Sequence, residues 1–269
     1  MPKQVDYNAT VTSRLDINPF LIILGIKPDQ QPYNFKPGQY TVVGLKASTS
    51  RVKESTPEAN PKTGDVVIQR AYSIASANNT GELDFYLALV SHGELTPRLF
   101  TLQKNDRVYI GAKATGVFTL DTVAPTKSLL LMATGTGLAP YISMIRSQMN
   151  ELKNRKVVVL HGVRHSGDLG YREELEEISK KHSNIVYMPV ISQPTKDPTW
   201  TGLSGYLQDT LFSGEVEKRT GLQITPDNFD AFICGNPSMI EAAIAKLTAA
   251  GFVLIKGRNP GTIHIEEYW

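Results

Sequence analysis

The hydrophobic pattern changes its period near residue 125, and this change most constrains how the chain can fold. Before it, short alternating runs such as YNATVTSRLDI and ELDFYLALV are separated by turn clusters rich in Gly, Pro and Asn, which is typical of antiparallel strands. After it, apolar runs such as SLLLMAT and DAFICGN alternate with amphipathic segments, which is typical of buried parallel strands joined by helices. The sequence predicts an antiparallel β-barrel or sandwich over residues 1–124 and a doubly wound α/β domain with a parallel sheet over residues 125–269.

One long polar stretch interrupts the first half. The segment KASTSRVKESTPEANPKTGD, residues 46–65, contains proline and has no hydrophobic period. Segments of this kind lie on the surface between strands. We therefore expect a long exposed hairpin loop.

Composition excludes several functional classes. A net charge of +2 is too small to indicate a nucleic-acid partner, although it allows a local basic face for an acidic protein. A single cysteine, Cys234, excludes internal disulfides and iron–sulfur clusters, and the five scattered histidines do not predict a metal site. The sequence has no apolar run of about 20 residues and no signal-peptide pattern, so we expect a cytoplasmic protein without a membrane segment.

Two stretches of the first half carry candidate chemistry. In RAYSIAS, residues 70–76, a guanidinium, a phenol ring and a hydroxyl follow one another on a predicted strand, and these groups can bind a pyrophosphate, an aromatic ring and a ring nitrogen. An edge strand with one surface arginine is the alternative. In HGELTPRLF, residues 92–100, Gly93 and Thr96 precede an apolar segment; this predicts either a phosphate-binding helix start or a simple capped helix.

Two glycine-containing turns of the second half each follow a predicted strand and precede a predicted helix. MATGTGLAPY, residues 132–141, places Gly135 and Gly137 where a backbone could approach a diphosphate, although the spacing is not GxGxxG. FICGNPSM, residues 232–239, places Cys234 at the carboxyl end of a strand, where open α/β sheets bind ligands. Structural turns and a buried thiol are the alternatives.

These four stretches and the C-terminal IHIEEYW, in this order and spacing, resemble the ferredoxin/flavodoxin–NADP(+) reductase family of bacterial type, over nearly the whole chain. The resemblance implies FAD in the barrel and NADP(H) as the substrate of the α/β domain. It also implies hydride transfer between NADP(H) and flavin, and single-electron exchange with ferredoxin or flavodoxin, an acidic carrier protein. We expect a monomer.

The resemblance also assigns residues. FAD is expected to contact Arg70, Ala71, Tyr72, Ser73, Leu89, Val90, Gly93, Thr96, Thr136, Tyr268 and Trp269. NADP(H) is expected to contact Thr134, Gly135, Gly137, Arg164, Gln193, Tyr206, Gly235, Pro237 and Met239, and Thr136 also belongs to that loop. The expected catalytic residues are Ser73, Cys234, Glu266 and Tyr268, with Tyr268 covering the flavin ring.

Some alternatives stay open. EEYW could be a strand end docked in a core. Gln193 and Tyr206 stand where related NADP-specific enzymes carry basic residues. Arg164 and Lys196 are therefore the remaining candidates to bind the 2′-phosphate. An NADH-preferring reductase component of an oxygenase, using a separate iron–sulfur protein, is therefore the second enzyme hypothesis. A flavin-binding electron conduit without nucleotide turnover is the non-enzyme hypothesis, and the intact glycine turns count against it.

Overall fold

The protein packs as two compact units. The computed structural model describes residues 6–62, 64–257 and 259–267. The first unit comprises the chain up to Thr119 together with Ala139–Ser147, and the second comprises Leu120–Leu138 and the chain from Gln148 onward. The chain thus passes between the units more than once, and the domain boundary after residue 124 stays a prediction.

An antiparallel sheet of six strands forms the first unit, with the strand order β4-β3-β6-β1-β2-β5. The Ala75 amide donates a hydrogen bond to the Asp84 carbonyl at 2.8 Å, which joins the two edges and closes the sheet into the predicted barrel. Its elements are β1 (Ala9–Asn18), β2 (Leu21–Pro28), β3 (Tyr40–Lys46), β4 (Val67–Ser73), β5 (Leu83–Ala88), α1 (Thr96–Leu99) and β6 (Arg107–Ile110).

Alternating side chains fill the barrel. Ile22, Leu24 and Ile26 of β2 and Phe85 of β5 are fully buried in one apolar cluster. Each such side chain contributes about 1.5–3 kcal/mol by leaving water. The period of two seen in the sequence is therefore the reason that this half forms a barrel rather than helices.

The polar stretch 46–65 does connect the antiparallel strands β3 and β4 as a hairpin, but the expectation that it is simply exposed is wrong in its middle part. Arg51 donates to Glu58 at 2.7 Å, and Glu58 is only 11% exposed. The Val52 amide donates to the Pro97 carbonyl at 3.0 Å. Charged and backbone groups therefore hold this loop against the segment around α1.

Six parallel strands form the second unit, in the order β10-β9-β8-β7-β11-β12. The predicted runs SLLLMAT, KVVVLHGV and DAFICGN become β7, β8 and β11, and the doubly wound α/β class is confirmed. The elements are β7 (Ser128–Thr134), α2 (Ala139–Leu152), β8 (Val157–Val163), α3 (Arg172–Lys181), β9 (Ile185–Ile191), β10 (Leu203–Ser204), α4 (Leu207–Thr210), α5 (Glu215–Thr220), β11 (Phe229–Gly235), α6 (Pro237–Ala249) and β12 (Ile263–Glu267).

Helix α2 is shared by the two units. Its backbone leaves the helical conformation at Gln148, where φ is −120° and ψ is 24°. The chain passes from the first unit to the second at this same residue. Before the break, Arg146 pairs with Asp84 of β5 at 2.8 Å and the Ser143 hydroxyl donates to the Ser76 carbonyl at 2.8 Å. Polar contacts therefore fix the first part of α2 on the barrel.

Within residues 6–62, 64–257 and 259–267, no helix is both long enough and apolar enough to cross a membrane.

Candidate functional site

The predicted nucleotide residues lie along the carboxyl edge of the parallel sheet. The strand order reverses between β7 and β11, because β8, β9 and β10 follow on one side of β7 and β12 lies beyond β11. Cys234 lies opposite Ala133 of β7 and opposite Glu266 of β12. Open α/β sheets bind ligands at such a reversal, outside the carboxyl ends of the strands.

The two glycine-containing turns touch each other at this reversal. A Cβ added to Gly137 would lie 2.5 Å from the Cys234 carbonyl oxygen, so no other residue fits without moving backbone. The Asn236 amide donates to the Thr134 hydroxyl at 2.8 Å, and Gly235 has a φ of 133°, a region that favours glycine. The turns after β7 and β11 therefore form one continuous backbone surface, suited to close approach by a diphosphate.

Helix α6 begins directly at this surface. The Asn236 side chain caps it by accepting from the Ser238 amide at 2.9 Å, and Pro237 occupies the first turn, as its fixed φ and missing N–H favour. Met239 is buried beneath that turn, and the Cys234 thiol is fully buried in β11. The thiol is therefore shielded from solvent, and its predicted catalytic role stays a prediction.

Three further predicted residues follow the ends of β8, β9 and β10. The Gln193 amide donates to the Arg164 carbonyl at 3.1 Å, which brings these two residues together. Tyr206 is 67% exposed just before α4. Within the residues described, the Arg164 side chain makes no ion pair or hydrogen bond, and it is exposed to solvent. A guanidinium in this state can bind an added anion without first breaking an internal pair.

A carboxylate also stands at this edge. Asp197 accepts a hydrogen bond from the Ser166 amide at 2.7 Å. Hydrogen bonds from the Ser166 hydroxyl and amide hold the pKa of Asp197 below its ordinary value, so it is negatively charged at neutral pH. This charge lies four residues after Gln193 and opposes an additional phosphate in that neighbourhood.

In the barrel unit, the predicted flavin motif lies at the end of β4. Ser73 is buried, Tyr72 is half-buried against the barrel core, and Ala71 and Arg70 are exposed. Burial raises the pKa of Tyr72, so its phenol is uncharged. The motif therefore offers an apolar ring, a buried hydroxyl and an accessible cation on successive residues.

The Arg70 guanidinium pairs with Glu94 at 2.6 Å, and Lys62 pairs with the same carboxylate at 2.9 Å. Hydrogen bonds from Lys62, and then from Arg70, lower the pKa of Glu94. The cluster carries two positive charges and one negative charge. Exposed pairs of this kind contribute about 0–1 kcal/mol, so a diphosphate with its two charges can replace the carboxylate as the partner of Arg70.

The segment 89–96 follows β5 and leads into α1. Leu89 is half-buried and its amide donates to the Phe20 carbonyl at 2.9 Å, whereas Val90 is 37% exposed. The Thr96 hydroxyl accepts from the Val90 amide at 3.0 Å, so it closes the turn that contains Gly93. Because α1 has only four residues, the predicted phosphate-binding helix start is reduced to a tight turn.

Three charged residues that the sequence analysis did not select hold this turn in place. The Arg98 guanidinium is 3% exposed and pairs with Glu58 at 2.6 Å, and it also donates to the Glu94 carbonyl at 2.5 Å. Arg51 donates to the Gly93 carbonyl at 2.9 Å. No motif could have shown this, since Glu58 lies in a polar loop 40 residues before Arg98.

The expected C-terminal cover of the flavin falls outside the described residues, because these end at Glu267. Tyr268 and Trp269 therefore stay predictions. Glu266 is half-buried on β12.

Comparisons with known proteins identify related oxidoreductases. The model of the oxidoreductase NAD-binding domain family matches residues 131–244. A flavodoxin/ferredoxin–NADP reductase of Buchnera aphidicola subsp. Baizongia pistaciae is 32% identical, over 87% of this chain and 88% of that protein. A ferredoxin–NADP reductase of Pseudomonas aeruginosa is 32% identical, over 87% and 86%. The crystal structure of a ferredoxin NADP+ reductase from Neisseria gonorrhoeae with bound FAD and NADP superposes with a TM-score of 0.81 at 25% identity, covering 97% of both chains.

Proposed function

This chain belongs to the flavodoxin/ferredoxin–NADP reductase family, and from that premise we propose how its own residues carry out the reaction. The protein is an FAD-dependent oxidoreductase that transfers hydride between NADP(H) and flavin and exchanges single electrons with ferredoxin or flavodoxin. Bound FAD supplies the redox chemistry. The chain supplies binding, orientation and charge.

The barrel residues fit FAD. Arg70 and Lys62 provide two accessible cations beside the Gly93 turn, and a Cβ on Gly93 would lie 3.1 Å from the Val90 carbonyl oxygen, so a side chain there would crowd the turn. In this proposal Arg70 binds the pyrophosphate, Tyr72 packs against the cofactor, and the Ser73 hydroxyl donates to the flavin ring.

The α/β residues fit NADP(H). The observation that carries this assignment is the contact between the turns at Gly137 and Cys234, which leaves room for backbone only. In this proposal the two turns bind the diphosphate, Arg164 binds a phosphate, and Tyr206 packs against the adenine. Glu266 adjusts charge and holds a proton near the reacting atoms.

The partner is proposed to be an acidic carrier that binds a locally basic face, since a net charge of +2 leaves room for one. We further propose a monomer in the cytoplasm. The alternative, an NADH-preferring reductase of an oxygenase, is favoured by one observation: Gln193, Tyr206 and Asp197 supply no cation where the 2′-phosphate is expected.

Acceptor assays separate the two functions. We expect purified holoenzyme to reduce both ferredoxin and flavodoxin faster with NADPH than with NADH. Faster reduction with NADH, together with activity only toward the iron–sulfur protein of an oxygenase, would establish the alternative instead.

A gain-of-charge variant tests how the 2′-phosphate is bound. Replacing Gln193 with arginine adds a cation beside Arg164 and should raise the ratio of NADPH to NADH efficiency about tenfold or more, which is the effect of one charge-assisted hydrogen bond. The change should lie in the NADPH KM, because the 2′-phosphate is remote from the reacting atoms and contributes uniform binding.

Gln223 provides the matched control. It is exposed in the loop that enters β11 from the amino edge of the sheet, so Gln223→Arg adds the same charge away from the nucleotide. We expect no change in the cofactor ratio. An equal rise in both variants would indicate a general charge effect, and no rise in Gln193→Arg would show that other residues bind the phosphate.

A further inference from the structure

A buried histidine lies directly behind the nucleotide-binding turn. His161 of β8 is fully buried. Its Nε2 lies 3.1 Å from the Gly135 carbonyl oxygen, and its Nδ1 lies 3.2 Å from the Tyr187 hydroxyl of β9. Both ring nitrogens therefore have partners, and one of these partners belongs to the turn after β7.

The partners determine the tautomer of the ring. A carbonyl oxygen can only accept, so the proton of a neutral imidazole must be on Nε2 to bond Gly135. Nδ1 then accepts from the Tyr187 hydroxyl. Burial lowers the pKa of His161 to about 4, against an opposing effect of the Gly135 bond, which keeps the ring neutral at physiological pH. The three groups form one directed chain from Tyr187 through His161 to Gly135.

Holding the Gly135 carbonyl also orients the next amide. The peptide group is planar and trans, so its C=O and N–H point in opposite directions. Gly135 has a φ of 53° and begins the 3₁₀ turn Gly135–Leu138, so the His161 bond adds to the backbone bonds of that turn in holding this peptide. The bond from His161 fixes the carbonyl toward the sheet and turns the Thr136 N–H away from it.

We propose that His161, oriented by Tyr187, is a positioning residue that holds the Gly135–Thr136 peptide so that the Thr136 N–H is presented to the nucleotide diphosphate. This inference rests on the proposed NADP(H) site. It adds to that site two residues that need not touch the nucleotide themselves.

A pair of amide substitutions separates the two ring nitrogens. In His161→Gln the amide nitrogen reaches the position of Nε2 and can still donate to Gly135, whereas in His161→Asn it reaches only the position of Nδ1. With FAD-loaded protein, we expect His161→Asn to raise the NADP+ Kd and the NADPH KM about tenfold, the effect of one ordinary hydrogen bond, with kcat within about twofold. His161→Gln should stay within about twofold of the wild type.

The probe 2′-AMP separates turn geometry from general damage, because it has the adenosine phosphate but lacks the diphosphate. Its Kd should not change in any variant. Tyr187→Phe removes one hydroxyl and should raise the NADP+ Kd about threefold, which provides a test if His161→Asn does not fold.

Several outcomes would overturn the inference. Equal NADP+ affinity in His161→Asn and His161→Gln would do so, as would a parallel loss of 2′-AMP and NADP+ binding, or wild-type NADP+ affinity in Tyr187→Phe. Failure of the wild-type holoenzyme to bind NADP+ would instead refute the proposed nucleotide site itself. The two failures are therefore distinguishable.

Discussion

Replacing Glu58 with alanine is expected to destabilise the barrel unit by about 3 kcal/mol and to weaken FAD retention. The substitution leaves the Arg98 guanidinium, which is 3% exposed, without its carboxylate, and removing one partner of a buried ion pair is strongly destabilising. It also removes the carboxylate partner of Arg51, the residue that donates to the Gly93 carbonyl. Thermal unfolding and FAD release on dilution measure the two effects.

Glu54 is the control for this experiment. It lies in the same loop and is exposed, so Glu54→Ala removes an equal charge without opening the Arg98 pair and should change neither quantity. Unaltered unfolding and FAD retention in Glu58→Ala would contradict the role given to this ion-pair cluster.

The Glu58 carboxylate also makes the stability of the protein depend on pH in the acid range. Hydrogen bonding by Arg98 is the main cause that holds the pKa of Glu58 below its ordinary value of 4.5. A carboxylate with a lowered folded-state pKa stabilises the protein fully above its unfolded value and loses that contribution as the pH falls through the folded value. We therefore expect the stability difference between wild type and Glu58→Ala to shrink below pH 4.5.

Gly137→Ala should lower NADP+ affinity and NADPH kcat/KM about 100-fold, the scale of a misplacement near 1 Å. The added Cβ would lie 2.5 Å from the Cys234 carbonyl oxygen, 2.8 Å from its carbon and 3.0 Å from the Gly235 Cα. All three are backbone atoms at the end of a central strand, so the turn after β7 must move away from β11. Titration with NADP+ and steady-state kinetics measure the loss.

The control glycine is Gly167. A Cβ there would meet nothing within 4 Å, and its φ is not among the positive values, so Gly167→Ala should bind NADP+ as the wild type does. FAD content should stay normal in both variants, because the flavin motif lies in the other unit. Wild-type affinity in Gly137→Ala would mean that the contact of the two turns does not shape the nucleotide site.

The elements that the sequence predicted well are those in which side-chain period alone decides burial. The middle of SLLLMAT is apolar because β7 is covered on both faces, and the run forms a strand with those bounds. The glycine turn after it was also predicted. The reason for Gly137 is the backbone of Cys234 and Gly235 in the distant strand β11, which local spacing could not show.

The parts that were missed depend on contacts between distant segments. His161 looked like one of five scattered histidines, and its role depends on the register that pairs it with Pro189, which puts Tyr187 on the same face two residues earlier. Glu58 looked like one charge in a polar loop. The sequence around His161 does not indicate that Tyr187 is its partner, and the sequence around Glu58 does not indicate that Arg98 is its partner.

The reaction of this protein passes hydride from NADPH to bound FAD and electrons onward to a carrier. Both steps can be followed by anaerobic addition of NADPH to the purified, FAD-loaded protein and then of oxidised ferredoxin or flavodoxin. We expect NADPH to bleach the visible flavin absorbance and the carrier to restore it while becoming reduced. A flavin that stays oxidised with NADPH, or a protein purified under FAD-saturating conditions that binds no FAD, would contradict this expectation.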